Sequence, residues 1–186
     1  MVLPDDSEDL ALILDLQNGN DGALNVLMER YREPLFRYIY RFVHNSSDAA
    51  EILEESFVKL YFNRDKFSPT NPFRSWLYTI AANLCRDQIR KQKRRSATSV
   101  GEFFDSTMVE AQAVLTPSEE ASANDDARQL RDAVDRLPEK LKHCVILFHL
   151  EEMSHDAIAS LLGCTAKAVE TRLYQARKRL QKMVSW

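Results

Sequence analysis

Residues 137–183 decide how this chain folds. They open with Leu137-Pro138-Glu139-Lys140 and an apolar helix. Next comes Ser154-His155-Asp156-Ala157-Ile158-Ala159-Ser160-Leu161-Leu162-Gly163-Cys164-Thr165, and then a basic helix from Ala166 to about Met183. Ala159 is small enough to let two helices approach, Gly163 makes the turn, and β-branched Val169 packs the second helix on the first. Thr165 caps that second helix. The pattern predicts a helix-turn-helix, with Lys167, Arg172, Arg177, Lys178 and Arg179 carried into a major groove. Val169, Leu173, Ala176 and Leu180 form its packed stripe. Lys167, Glu170, Thr171, Tyr174 and Lys178 recur at steps of three and four as the groove-facing stripe. Arg172, Arg177 and Arg179 flank it and hold phosphates, which sets position rather than sequence.

Upstream, apolar residues keep helical spacing nearly everywhere, and strand signals are almost absent. Leu10, Ile13, Leu14 and Leu16 predict a short helix stopping at Gly19. Leu24, Leu27, Tyr31, Leu35, Tyr38/Ile39 and Phe42 predict a longer one, with a kink or break at Pro34. Ser47 or Asp48 is expected to cap a third helix that runs to about Phe62, with Ile52, Leu53, Phe57 and Leu60 inward. Residues 63–71 form a polar loop. Asn71-Pro72 then suits a helix start, with Asn as cap and Pro at the first helical position. The helix from Phe73 ends in Arg90-Lys91-Gln92-Lys93-Arg94-Arg95. The predicted class is therefore all-α: a first helical domain (1–95), a flexible acidic linker (96–124) free of Lys and Arg, and a second helical domain (125–186).

The formal net charge of -3 hides a segregated pattern. Positive charge gathers in residues 86–95 and 167–182. Negative charge gathers at the N-terminus and between the two basic blocks. Two basic faces bounded by acidic segments point to two nucleic-acid contacts and a further partner that is not nucleic acid. Arg74, Trp76, Tyr78 and Asn83 set aromatic and hydrogen-bonding groups ahead of the basic end, which suits unstacked bases on a single strand. Asp48, Glu51, Glu54 and Glu55 make an acidic surface beside Phe57, Leu60 and Tyr61. Acidic residues near a helix start also favour the macrodipole.

Cys85, Cys144 and Cys164 stand far apart with no paired spacing, which fits a reducing cytoplasm better than a disulfide framework. No secretion signal or membrane span is expected. His143, Cys144 and His149 do not have the three- or four-residue step that converges on one ion, so no metal is expected. No nucleophile-and-base arrangement or phosphate-cradling glycine loop predicts an enzyme, and no cofactor is expected.

Three segments together resemble the extracytoplasmic-function sigma factors of the bacterial sigma-70 family, which keep only regions 2 and 4. Residues 47–60, Ser-Asp-Ala-Ala-Glu-Ile-Leu-Glu-Glu-Ser-Phe-Val-Lys-Leu, resemble the region 2 helix that docks on the polymerase clamp. Residues 72–83, Pro-Phe-Arg-Ser-Trp-Leu-Tyr-Thr-Ile-Ala-Ala-Asn, resemble the segment that engages the −10 element. Leu137 through Leu180 resembles region 4, which reads the −35 element and touches the polymerase flap.

The resemblance implies that Asp48, Glu51, Glu54, Glu55, Phe57, Leu60 and Tyr61 bind core polymerase. Asn63, Phe67, Arg74, Trp76, Tyr78, Asn83, Arg86, Arg90, Lys93 and Arg94 would meet the opened −10 strand, with the 63–71 loop as the pocket for an extruded base. Thr165, Lys167, Glu170, Thr171, Arg172, Tyr174, Gln175, Arg177 and Lys178 would meet the −35 duplex. It further implies an anti-sigma factor as inhibitor, commonly membrane-bound. The acidic composition of the linker suggests that it threads positively lined polymerase channels. Two positions depart from the family pattern: Ala157 stands where a Glu usually precedes Ile-Ala, and Glu54-Glu55 replace an acidic residue followed by Gln. Two rival readings fit part of the pattern: a regulator that binds duplex DNA without polymerase, and a sigma mimic that sequesters an anti-sigma factor. The mimic should lack a basic recognition face.

Overall fold

The computed structural model describes residues 6–70, 72–98 and 123–184, with the backbone alone at 6, 93, 95–98 and 123–127. Among the described residues there are α-helices and one short 3-10 turn, and no strand. The chain divides into two compact units, Met1–Gln112 and Ala113–Trp186.

The first unit holds α1 (Asp6–Gln17), α2 (Gly22–Val43), α3 (Ser46–Asn63), the 3-10 turn Arg64–Lys66 and α4 (Phe73–Thr98). Its centre is built from Ile13 and Leu16 of α1, Leu27, Tyr31, Leu35, Tyr38 and Ile39 of α2, Leu60 of α3, and Phe73, Leu77 and Tyr78 of α4. Three- and four-residue steps along each helix put these side chains on one stripe, so four amphipathic helices close around one core. The expected break at Pro34 does not occur, and α2 runs unbroken through it. Proline costs about 3 kcal/mol inside a helix. Here Tyr31, Leu35, Tyr38 and Ile39, buried on either side, hold both halves in register and outweigh that cost.

The cap of α3 is also corrected. Asn45, not Ser47 or Asp48, adopts the extended cap conformation, and its side chain accepts from the Asp48 N–H at 3.0 Å. His44, at φ 53, ends α2 in the left-handed region and donates its N–H to the Tyr40 carbonyl. Asn71, the expected cap of α4, and most of the expected linker (99–122) lie outside the described residues.

The second unit holds α5 (Ala123–Asp135), α6 (Glu139–His149), α7 (His155–Leu162) and α8 (Ala166–Met183). Helix α6 is its spine, with every residue from Leu141 to Leu147 buried. Leu137, Leu141 and Val145 close on Ala176 of α8, with Val134, Leu173 and Leu180 around them. The one charged side chain of that buried run, Lys142, pairs with Asp135 at 2.8 Å, so its ammonium is not buried alone. Leu130 of α5 is exposed. No described helix is long and apolar enough to cross a membrane.

Candidate nucleic-acid interface

The α7–turn–α8 geometry follows from local chemistry. Ser154 caps α7 by accepting from the Ala157 N–H at 3.2 Å. Gly163 ends it at φ 61, ψ 46, a conformation that costs glycine least. Its N–H and that of Cys164 satisfy the last carbonyls of α7, those of Ala159 and Ser160. Thr165 then caps α8 by accepting from the Ala168 N–H at 3.2 Å. Ile158, Ala159 and Leu161 of α7 and Val169 of α8 are buried.

One side of α8 is left to solvent: Lys167, Glu170, Thr171, Tyr174, Gln175, Arg177 and Lys178 are all exposed, as is the cap Thr165. Lys167 and Glu170 pair at 2.7 Å. That hydrogen bond and the charge behind it raise the lysine's pKa and lower the glutamate's. The Lys178 ammonium lies 4.8 Å from the centre of the Tyr174 ring. Arg172 departs from the stripe. It is half-buried, and its Nη1 donates to the Cys164 sulfur at 3.3 Å.

A second polar stripe runs along α4. Trp76 (half-buried), Asn83, Arg86, Arg90 and Arg94 recur on one side at steps of three, four and seven. Arg86 Nη2 donates to Asn83 Oδ1 at 2.7 Å, which fixes the amide beside a cation. At the end of α3, Asn63 donates to the Lys59 carbonyl at 2.8 Å and accepts from Lys66 at 2.7 Å. Arg74 is half-buried, its guanidinium 5.4 Å from the Tyr78 ring. The side chain of Lys93 lies outside the described residues.

Three expected contact residues are inside instead. Phe67 is packed against Phe73 and Trp76, with ring centres 6.1 and 5.4 Å away. Tyr78 is fully buried against Tyr38 at 5.0 Å, and Leu60 is fully buried in the core. Aromatic rings ahead of a basic run look alike in sequence whether they stack on bases or on each other. Here Phe67 and Tyr78 build the floor under the surface. Gln17 of α1 donates to the Arg64 and Phe67 carbonyls at 2.7 and 3.2 Å and so ties down the base of the loop.

On α3, Glu51, Glu54 and Glu55 are exposed, whereas Phe57 is buried apart from an edge on a cleft. Asp48 accepts from Gln92 of α4 at 2.9 Å, and Tyr61 stacks under the Arg64 guanidinium at 4.5 Å. Glu51 and Glu55 share a face with Val58 and Phe62, which are 52% and 75% exposed. The sequence reading missed those two apolar residues. The signal was available as an i, i+4, i+7, i+11 stripe opposite the buried one. Between α2 and α3 a cleft of about 800 Å³ is lined by Met28, Arg32, Phe36, Leu53, Glu54 and Phe57 among others. A second cleft, of about 510 Å³, lies on the second unit between Leu130, Phe148, Leu173, Tyr174, Arg177 and Leu180.

The described residues form a basic helix-turn-helix, a second cationic helix carrying an aromatic, and an exposed acidic and apolar face on α3. Its residues 27–95 match the profile of Sigma-70 region 2, and residues 127–180 match Sigma-70, region 4. The chain is 29% identical over 181 residues to the ECF RNA polymerase sigma-E factor of Haemophilus influenzae, covering 95% of each. It is 28% identical to that of Escherichia coli K12, covering 95% of this chain and 94% of the relative.

Two solved structures share the fold. CnrH in complex with the cytosolic domain of CnrY gives a TM-score of 0.70 at 24% identity, over 94% of this chain and 96% of that one. The sigma factor RpoE in complex with the anti-sigma factor NepR from Bartonella quintana gives 0.65 at 23% identity, over 81% of this chain and 89% of that one. The chain belongs to the sigma-70 family, in its two-region extracytoplasmic-function group. This is a family of transcription initiation factors, and core RNA polymerase is their partner.

Proposed function

We propose that this protein docks on core RNA polymerase through the Glu51–Glu55–Val58–Phe62 face of α3 and the adjoining α2–α3 cleft. Helix α8 reads the −35 duplex. Trp76, Asn83, Arg86, Arg90 and Arg94 of α4, with the 63–71 loop, capture one strand of the −10 element as it opens. Capture replaces base stacking, on the order of a few kcal/mol, with contacts to an aromatic edge, a fixed amide and cations. The observation that carries this reading is the coexistence of two cationic faces with a docking face of different chemistry. A regulator acting on duplex DNA alone has no use for the α4 stripe.

The two clefts are the surfaces an anti-sigma factor covers. Each adjoins residues assigned here to polymerase or to DNA, so one inhibitor lying over both blocks both. The protein acts in the cytoplasm, and an inhibitor that carries its own anchor holds it at the membrane. Run-off transcription from a genomic fragment library, using core polymerase with and without the protein, tests the reading. New start sites that share −35 and −10 elements are expected. No new transcripts, together with tight binding of the protein alone to duplex DNA, would replace it with the regulator.

Arg172 is assigned to a phosphate. Arg172→Ala is expected to weaken holoenzyme binding about tenfold at every promoter and to flatten the slope of log affinity against log salt by about 1. Arg172→Lys should keep most of the slope. Loss confined to one base position contradicts the assignment.

A further inference from the structure

Helix α8 carries one acidic residue, Glu170, among six lysines and arginines. Glu170 stands on the exposed side, one turn past Lys167, and its Oε2 lies 2.7 Å from the Lys167 ammonium. Helix stability does not account for the pair. Lys167 sits in the first turn, where a cation opposes the macrodipole, and the acid follows the lysine, the weaker of the two orders. Both side chains are open to solvent, 84% and 46% exposed, so their attraction adds little to the fold. General affinity for DNA does not account for it either. A duplex carries one negative charge per ~1.7 Å of its axis and repels a carboxylate. We infer that Lys167 and Glu170 together read one C·G base pair of the −35 element, with Glu170 accepting from the cytosine N4 amine and Lys167 donating to the guanine O6. This rests on α8 lying in the −35 major groove, as proposed above.

The chemistry of the groove edge selects the base. An ionised carboxylate accepts hydrogen bonds and donates none. Glu170 is held ionised, because the hydrogen bond from Lys167 and the charge behind it lower its pKa. Guanine shows it only the acceptors N7 and O6, and thymine shows O4 and a methyl, so neither base can bond it. Adenine offers the N6 amine, but the N7 acceptor stands beside that amine and repels the second carboxylate oxygen. Cytosine alone offers an amine with no acceptor next to it on this edge.

Lys167 completes the match. Its ammonium has three donors, so one stays on Glu170 while another meets guanine. Cytosine N4 and guanine O6 are joined by a base-pairing hydrogen bond and lie about 2.9 Å apart. The Lys167 Nζ and Glu170 Oε2 are 2.7 Å apart, so the two heads fit over the two base groups with each donor against an acceptor. An A·T pair also sets an amine beside an oxygen, but its flanks are wrong. Its N7 lies beside the amine that the carboxylate needs, and its methyl beside the oxygen that the ammonium needs. In C·G the group beside O6 is N7, a second acceptor for the ammonium. Thr171 does not compete for these contacts, because its hydroxyl donates to the Lys167 carbonyl at 2.9 Å.

The test binds holoenzyme to promoter duplexes randomised through the −35 element and sequences the bound fraction. Wild type is expected to favour C·G by about tenfold or more at one position. Glu170→Gln should transfer that preference to A·T, because an amide accepts from N6 and donates to N7. Glu170→Ala should flatten the position to within about twofold, and Lys167→Ala should lose about threefold of its preference, with the other positions unchanged. A defect in folding or in core binding weakens every position alike and cannot move a single preference. Selection by Glu170→Gln identical to that of wild type overturns the paired reading and leaves the −35 role of α8 standing. No selection anywhere in the −35 element by the wild type removes both.

Discussion

Reversing Glu51 and Glu55 together to lysine is expected to weaken association with core polymerase by about 100-fold or more while leaving the fold intact. Like charges brought together across an interface cost several kcal/mol, and about 2.7 kcal/mol already gives that factor. The fold should tolerate the change because neither carboxylate supports it. Glu51 is exposed, and Glu55 pairs with Lys59 on the same helix, at 3.3 Å with both side chains 47% exposed. Such a pair is worth at most about 1 kcal/mol, and a like pair at i, i+4 costs a few tenths. Fluorescence anisotropy of labelled protein titrated with core enzyme, at low and moderate salt, reads the effect. Unchanged affinity with an unchanged circular dichroism spectrum would remove α3 as the docking helix. The apolar half of the face makes a separable contribution. Phe62→Ala should weaken association with little dependence on salt.

The helix-turn-helix was legible from sequence because each of its decisions is local. Ser154 and Thr165 cap with their own side chains, Gly163 takes the left-handed turn, and Val169 lies one helical turn past the cap. None of these needs a distant partner. The helix does not break at Pro34 because the opposing term is tertiary: packing on both sides of it decides whether the local penalty is tolerated. Asn45 was overlooked because Ser46, Ser47 and Asp48 offer equal capping chemistry, and only the helix trajectory picks among them.

The site was half legible for the same reason. Charged and amide side chains on α4 and α8 could be assigned to faces by period alone. For Phe67 and Tyr78 that was insufficient, since an aromatic ring serves a core and a base equally well. The exposed pair Val58 and Phe62 was hidden by the converse assumption that large apolar residues face inward. The hydrogen bond from Arg172 to the Cys164 sulfur depends on how the turn meets α8, which no spacing rule reports.

Asp9→Ala is expected to destabilise the first unit by about 3 kcal/mol. The Asp9 carboxylate is fully buried, is paired with Arg30 at 2.5 Å and accepts a hydrogen bond from the Tyr31 hydroxyl. Removing one partner of a buried pair costs about 3–5 kcal/mol. The low end applies because Arg30 keeps its bond to Glu8 at 2.8 Å. What remains is a buried tyrosine hydroxyl without its acceptor, a cost of about 1–3 kcal/mol. Urea unfolding followed by Trp76 fluorescence in a Trp186→Phe background measures this, and a loss below about 1 kcal/mol would show that α1 is not held by this network.

The same network predicts alkaline lability. Burial, and then the hydrogen bond to Asp9, raise the Tyr31 pKa far above its ordinary 10.0, so its contribution is complete below pH 10 and is lost as pH rises. Cys85, raised from 9.0 to about 12, adds a loss that begins near pH 9 and is complete about pH 12. Each group steepens the decline by up to about 1.4 kcal/mol per pH unit. Tyr31→Phe should remove the part that starts at pH 10 and leave the part that starts at pH 9, and Cys85→Ala should do the reverse. The two variants therefore separate the contributions within one set of titrations.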